Sequence, residues 1–148
     1  MSSFKYDRVL QWSECDPAGI IFFPNYMRWM VDGVNRMLLS AGIDPNESGE
    51  SGEIKGLPAV KVSADFSEPL RLYQAVTHQI SVKRIGTSSV VFEHRFLKEG
   101  TCVASGEDMR VRVSHAAGGN AEAKSQPFSV AFRNVLSRYV KDDDLDPV

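Results

Sequence analysis

PNYMRWMVDGVNRMLLSAG, residues Pro24 to Gly42, is the stretch that decides the fold class. Met27, Met30, Val31, Val34, Met37, Leu38 and Ala41 recur at steps of three and four, so a helix gathers them into one apolar stripe. Arg28, Asp32, Asn35 and Arg36 fall on the other faces. Pro24 suits a first helical turn, where its missing N–H has no intrahelical partner, and Gly42 suits a C-terminal cap. Phe4 to Trp12 reads as a strand. After the helix and the loop that follows it, the period drops to two. Val60, Val62, Ala64 and Phe66 alternate with Lys61, Ser63, Asp65 and Ser67, and Val76, His78, Ile80 and Val82 repeat the pattern. So do Val90, Phe92, His94 and Phe96, and then Met109, Val111 and Val113 against Arg110, Arg112 and Ser114. Glu68-Pro69, Ile85-Gly86-Thr87 and Glu99-Gly100-Thr101 separate the runs, and such short turns imply antiparallel neighbours. A lone striped helix must bury its stripe on the sheet's apolar face. The expectation is an α+β domain, a curved antiparallel sheet wrapped around one long helix.

The remaining sequence sets bounds. At 148 residues the chain is expected to form a single domain, 1–148. Residues 44–56, DPNESGESGEIKG, read as a mobile surface loop, and 141–148, KDDDLDPV, as a solvated acidic tail. Ser129 to Val140 has the apolar spacing of a short C-terminal helix. A formal net charge of −2 argues against a nucleic-acid partner. Cys15 and Cys102 alone make no disulfide framework, which points to a reducing cytoplasm. No apolar run approaches the ~18 residues of a membrane span. The three histidines, His78, His94 and His115, have no metal-ligand spacing, so neither metal nor separate cofactor is expected. His78 and His94 share a face with apolar neighbours and read as core residues. Nucleophile-elbow, P-loop and dinucleotide fingerprints do not occur.

WSECDPAGIIFFPNYMRW, Trp12 to Trp29, carries the candidate chemistry. Asp16 stands in a Pro- and Gly-punctuated loop just ahead of a helix, with Phe22, Phe23 and Tyr26 beside it. The helix start offers N–H groups without intrahelical partners and partial positive charge. A carbonyl docked on the N–H near Phe23 would be polarised there, and a carboxylate opposite could attack it or take a proton from attacking water. The same residues also fit a plain reading in which Asp16-Pro17 starts a turn and the acid caps the helix. Cys15 has no histidine near it in sequence and reads as a space-filling residue. Asp65 reads as a solvent-facing strand residue that could otherwise reach a partner chain's acyl site.

ECDPAGIIFFPNYMRW resembles the active-site segment of the 4-hydroxybenzoyl-CoA thioesterase family of hotdog-fold proteins: an acid, Pro, Ala, Gly, two apolar residues, two residues that are often aromatic, then Pro-Asn-Tyr. Weaker similarity continues through GLPAVKVSADF and the later strands. The resemblance implies hydrolysis of an acyl-CoA to free acid and coenzyme A. Asp16 takes the position of the catalytic carboxylate, and the Phe23 N–H that of the thioester-binding donor. Pro17, Gly19, Phe22, Asn25 and Tyr26 are then substrate-binding positions. Coenzyme A enters as part of the substrate. Lys83, Arg84, Gly86, Thr87 and Ser88 occupy the stretch where the family's best-known member type grips it with a basic cluster; this sequence departs from that cluster, its Gly-Thr-Ser turn resembles the one that many other hotdog thioesterases place near coenzyme A, and the plain alternative is an ordinary hairpin turn. The resemblance further implies a homodimer with the site at its interface, and dimers that pair into a homotetramer. The aromatic residues hint at an aryl acyl group, with an aliphatic acyl-CoA thioesterase or a non-catalytic acyl-CoA binder as alternatives. A hotdog dehydratase is disfavoured because no histidine lies between Pro24 and Gly42.

Overall fold

The computed structural model describes residues 3–47, 52–115 and 123–141. Strand β1 (Phe4–Val9) and one 3-10 turn (Trp12–Glu14) lead to helix α1 (Pro24–Ser40). The strands β2 (Ile54–Gly56), β3 (Ala59–Phe66), β4 (Ala75–Ile85), β5 (Ser89–Lys98), β6 (Thr101–Val111), β7 (Val113–His115) and β8 (Lys124–Ser125) follow, then helix α2 (Val130–Ser137). A five-stranded antiparallel sheet has the order β1-β4-β5-β6-β3, and β2-β7-β8 form a small second sheet. The expected sheet over a helix is therefore present.

Helix α1 buries Asn25, Tyr26, Trp29, Met30, Gly33, Val34, Met37 and Leu38. Its sequence stripe is wider than this buried face, because Met27 and Val31 stay exposed, in line with Phe23 at steps of four. The close approach of helix and sheet needs glycine at Gly33, where a Cβ would stand 2.5 Å from His78 Cε1 and 2.7 Å from Ile80 Cδ1. Two apolar clusters fill the core. Val34, Met37, Leu38, Ile80, Val82 and Phe92 pack with α2 at one end. Leu10, Ile21, Tyr26, Trp29, Leu70 and Phe96 pack at the other.

Three sequence expectations change. The β3–β4 connection is short, yet the two strands are not neighbours: β3 pairs with β6, and β4 lies between β1 and β5. The crossing segment is anchored by buried Leu70 and by hydrogen bonds to the Asp16 loop, so its length says nothing about pairing. On β6 the alternation holds but the faces are reversed. Asp108, Arg110 and Arg112 are buried, while Met109, Val111 and Val113 are half-buried. Finally, Ile54–Gly56 of the expected 44–56 loop is strand β2, paired with β7. Arg112 holds the described part of that loop through the Pro45 carbonyl (2.7 Å) and Glu47 (2.9 Å). The acidic tail lies outside the described residues from 142 onward.

Candidate active site

The loop before α1 is built from its own backbone. Asp16 N–H donates to the Ile20 carbonyl (2.8 Å), and Gly19 N–H to the Asp16 carbonyl (3.0 Å). Gly19 has φ +78°, which a side chain would disfavour. The Asp16 carboxylate accepts the Ala18 N–H through Oδ1 at 2.8 Å, an Asx turn that fixes the side chain and leaves Oδ2 without a partner among the described residues. Asp16 is half-buried. The loop is then fastened on three sides. Cys15 bridges Ile21, the β3–β4 crossing pairs Arg71 with Ile20, and Glu14 reaches the helix. Glu14 accepts the indole N–H of Trp29 (2.7 Å) with its carboxylate, and the Phe22 N–H (2.9 Å) and Asn25 side chain (2.8 Å) with its carbonyl.

At the helix start, Asn25 N–H donates to the Phe22 carbonyl and Tyr26 N–H to the Phe23 carbonyl. Phe23 occupies the N-cap position without a side-chain cap, and Pro24 follows it. Among the described residues the Phe23 N–H makes no hydrogen bond, which leaves one donor at the positive end of α1 for an incoming oxygen. Phe22 and Phe23 are exposed, with Phe23 against Phe66 of β3 at 6.1 Å between ring centroids. Of the other expected substrate positions, Pro17 is exposed and Gly19 half-buried. Asn25 is committed to the loop. Tyr26 is buried and stacked on Phe66, its hydroxyl has no partner among the described residues, and burial, with a smaller contribution from Cys102, pushes its pKa up to about 12. Burial first, then the charges of Asp16 and Glu14, raise the Cys15 thiol, the opposite of what a thiolate nucleophile needs.

The coenzyme A candidates sit elsewhere. The β4–β5 turn holding Gly86, Thr87 and Ser88 is at the far end of β4 from the Asp16 loop. Ten residue steps at about 3.3 Å put it on the order of 30 Å away within one protomer. Lys83 and Arg84 are both exposed, and Lys83 is paired with Glu107 at 2.6 Å. The carbonyls of Gly86, Thr87 and Ser88 are taken by Arg133, Phe128 N–H and Arg112 N–H. The Thr87 and Ser88 N–H groups make no hydrogen bond among the described residues.

Sequence reading missed a buried polar network between the two core clusters. Tyr6 Oη lies 2.9 Å from His78 Nδ1, His78 Nε2 2.8 Å from His94 Nδ1, and His94 Nε2 2.6 Å from Asp108 Oδ2. Arg110 Nε donates to Asp108 Oδ1 at 2.7 Å. Neutral imidazoles allow every link one donor and one acceptor, from the Tyr6 hydroxyl towards the Asp108 carboxylate. Burial, then His94 and Arg8, lowers the His78 pKa to about 2. Burial works to raise that of Asp108, but the hydrogen bond from His94 and the charge and hydrogen bond of Arg110 outweigh it and hold the carboxyl below its ordinary range. The available signal was strand parity: Asp108 and Arg110 share the parity of Ala104, not of Met109.

With this geometry in view, comparison with known proteins is direct. Residues 10–136 match the model of the thioesterase-like superfamily. The chain belongs to that superfamily. A 4-hydroxybenzoyl-CoA thioesterase from Pseudomonas sp. (strain CBS-3) is 29% identical over 93 residues, 62% of this chain and 66% of the relative. A 1,4-dihydroxy-2-naphthoyl-CoA hydrolase from Synechococcus sp. (strain WH7803) is 28% identical over 119 residues, 76% of this chain and 78% of the relative. The solved structure of a gentisyl-coenzyme A thioesterase superposes with a TM-score of 0.74 at 26% identity, covering 90% of this chain and 99% of that one. The chain thus spans about two thirds of the length of the curated relatives it matches. Family and architecture together make it a hotdog-fold member of the acyl-CoA thioesterases, as the Trp12–Trp29 segment implied. Among the described residues no helix is long and apolar enough to cross a membrane.

Proposed function

We propose that this thioesterase hydrolyses an aryl-type acyl-CoA to free acid and coenzyme A, with Asp16 as its catalytic carboxylate, at a site completed by a second copy of the chain. The observation that carries the reading is the Phe23 N–H, left unpaired at the start of α1 beside a loop whose hydrogen bonds lock Asp16 in place. The thioester carbonyl accepts from that N–H, so negative charge growing on its oxygen meets a donor that needs no reorganisation. Asp16 either takes the proton of an attacking water or attacks the carbonyl carbon itself to form an anhydride that water opens. In both routes the C–S bond breaks and coenzyme A leaves as thiol, with no metal or separate cofactor required. Appearance of oxygen-18 in Asp16 after a single turnover in labelled water identifies the anhydride route with water attacking the aspartyl carbonyl.

The need for a partner follows from placement. Within one protomer the Asp16 loop and the turn of Gly86, Thr87 and Ser88 lie at opposite ends of the sheet. Strand β3 is one of its two edges, exposed on both faces, and Val60, Val62 and Phe66 stand uncovered on it. The exposed row Phe23, Met27 and Val31 runs along the helix flank beside it: Phe23 meets Phe66 at one end, and Val31 shares a cleft with Ala59 at the other. Such an edge invites pairing. A two-fold axis through the middle of β3 joins it antiparallel to its copy and sets each Phe66 end beside the partner's Ala59 end. The partner's Arg84 and free Thr87 and Ser88 N–H groups then face the coenzyme side of the site, where phosphate oxygens need donors. We propose further that dimers pair into a homotetramer and that the protein acts in the cytoplasm, where the free thiols Cys15 and Cys102 stay reduced.

Thiol release over a panel of aryl and aliphatic acyl-CoAs tests the activity, and Asp16→Asn tests the assignment. The variant should bind substrate but lose about 10²- to 10⁴-fold in turnover. Wild-type turnover in Asp16→Asn would refute the role of Asp16. Binding without thiol release by the wild type would make the protein an acyl-CoA binder.

A further inference from the structure

The buried network ends at a cleft. Arg110 is 4% exposed, its Nε is spent on Asp108, and its two terminal amino groups make no hydrogen bond among the described residues. Arg110 lines a space of about 470 Å³ between the second half of α1, β2 and the Ala59 end of β3. Val31, Leu57 and Pro58 give it apolar walls, and among the described residues Lys55, Arg110 and His115 line it without any Asp or Glu. A buried guanidinium with unspent donors is costly unless something accepts from it. Asn35 lines the space on the α1 side, and Arg110 makes no hydrogen bond to it.

We propose that Arg110 is a specificity-determining residue, whose terminal amino groups bind an oxygen acceptor, a carboxylate or phenolic hydroxyl, at the far end of the acyl group. This rests on the hydrolase reading above. The same two-fold that brings the coenzyme turn across sets the partner subunit's Arg110 beside the Phe66 and Phe23 end of this chain. Two strand spacings, about 10 Å, separate the edge of one sheet from β6 of the other. An aryl ring and its para substituent span a gap of that order, so a thioester held at Phe23 sends its distal atom into the cleft. The network sets the direction of the guanidinium: Asp108 holds Nε, His94 holds Asp108, and His78 and Tyr6 hold His94. The terminal amino groups are thereby pointed, not free to swing.

Thiol release from 4-hydroxybenzoyl-, 4-carboxybenzoyl- and 4-methylbenzoyl-CoA, with wild type and Arg110→Met, is the test. The methyl compound has the shape without the acceptor, and the other two separate hydroxyl from carboxylate. Wild type should favour at least one oxygen-bearing substrate by about 10-fold or more in kcat/KM, and Arg110→Met should bring that ratio to about one. A structural role alone would depress all three substrates together and preserve the ratio, which overturns the proposal, as does a wild type without the preference. Asp108→Asn combined with Arg110→Met leaves no buried carboxylate without its cation and serves if the single variant does not fold. If neither variant folds, the wild-type ratio decides. If wild type releases thiol from none of the three, the hydrolase reading fails by itself. Calorimetry with terephthalate and 4-methylbenzoate then decides: tighter binding of terephthalate keeps the role of Arg110, and equal binding ends it.

Discussion

Acidification should destabilise this protein well before its carboxylates titrate, and His78 should be the reason. The ring is fully buried between Tyr6, His94 and Phe96, and burial, followed by His94 and Arg8, takes its pKa from 6.5 to about 2. The folded chain therefore leaves His78 neutral across the range where the unfolded chain protonates it. Stability from this source is complete above pH 6.5 and is lost as pH falls towards the folded value. Each unit below 6.5 costs about 1.4 kcal/mol, so the change from pH 7.5 to pH 5.0 is about 2 kcal/mol, a large part of an ordinary folding free energy. Urea unfolding at pH 7.5, 6.5, 5.8 and 5.0, at one protein concentration, measures it for wild type and His78→Gln. The variant starts from a lower stability because it breaks the network, but it lacks the titration. Its curve should be flatter by about 2 kcal/mol over the interval. Parallel curves would show that His78 titrates alike in both states and that its burial without charge is not what the fold enforces.

Gly33→Ala should lower stability by about 1–3 kcal/mol despite the better helix propensity of alanine, because the new methyl meets the His78 and Ile80 side chains; an unchanged urea midpoint would mean that the helix rides higher on the sheet. Val62→Asp places like charges near the proposed two-fold on β3, so sedimentation should show monomers and thiol release should fall with the dimer. A dimer that survives the substitution puts the interface on another edge.

The helix, the alternating strands and the Asp16 loop were legible because each is a local pattern: a period, a turn residue, a motif of about sixteen neighbours. What stayed hidden depends on pairing at long range. Glu68-Pro69 looks like any other turn, and only the docking of Leu70 under the Asp16 loop sends β3 to the far side of the sheet. On β6, Met109, Val111 and Val113 looked like the inward set because they are apolar. The register instead puts Asp108 opposite Phe92 and one diagonal step from His94, which turns the charged set inward. Met27 and Val31 read as core since periodicity cannot tell a face covered by the chain itself from one left exposed.

The network also poses a question of energy. A buried run of Tyr6, His78, His94, Asp108 and Arg110 is rarely the most stable filling for a core, since apolar residues of like volume commonly match or exceed a buried ion pair. Val76 and Ile80 flank His78 on one strand, and Phe92 and Phe96 flank His94 on the next. An apolar solution lay one substitution away at each position. What such a core could not do is end in a guanidinium with its Nε fixed and its amino groups turned into a cleft. Each link removes a rotation from the one after it, and at the last link the donors left over belong to no group in the described protein. The stability forgone in the core thus has its counterpart at Arg110, as directional hydrogen bonding for a ligand oxygen. If that is the reason for the network, cutting it at His94 should loosen Arg110 and weaken substrate discrimination while Asp16 and the Phe23 N–H remain in place.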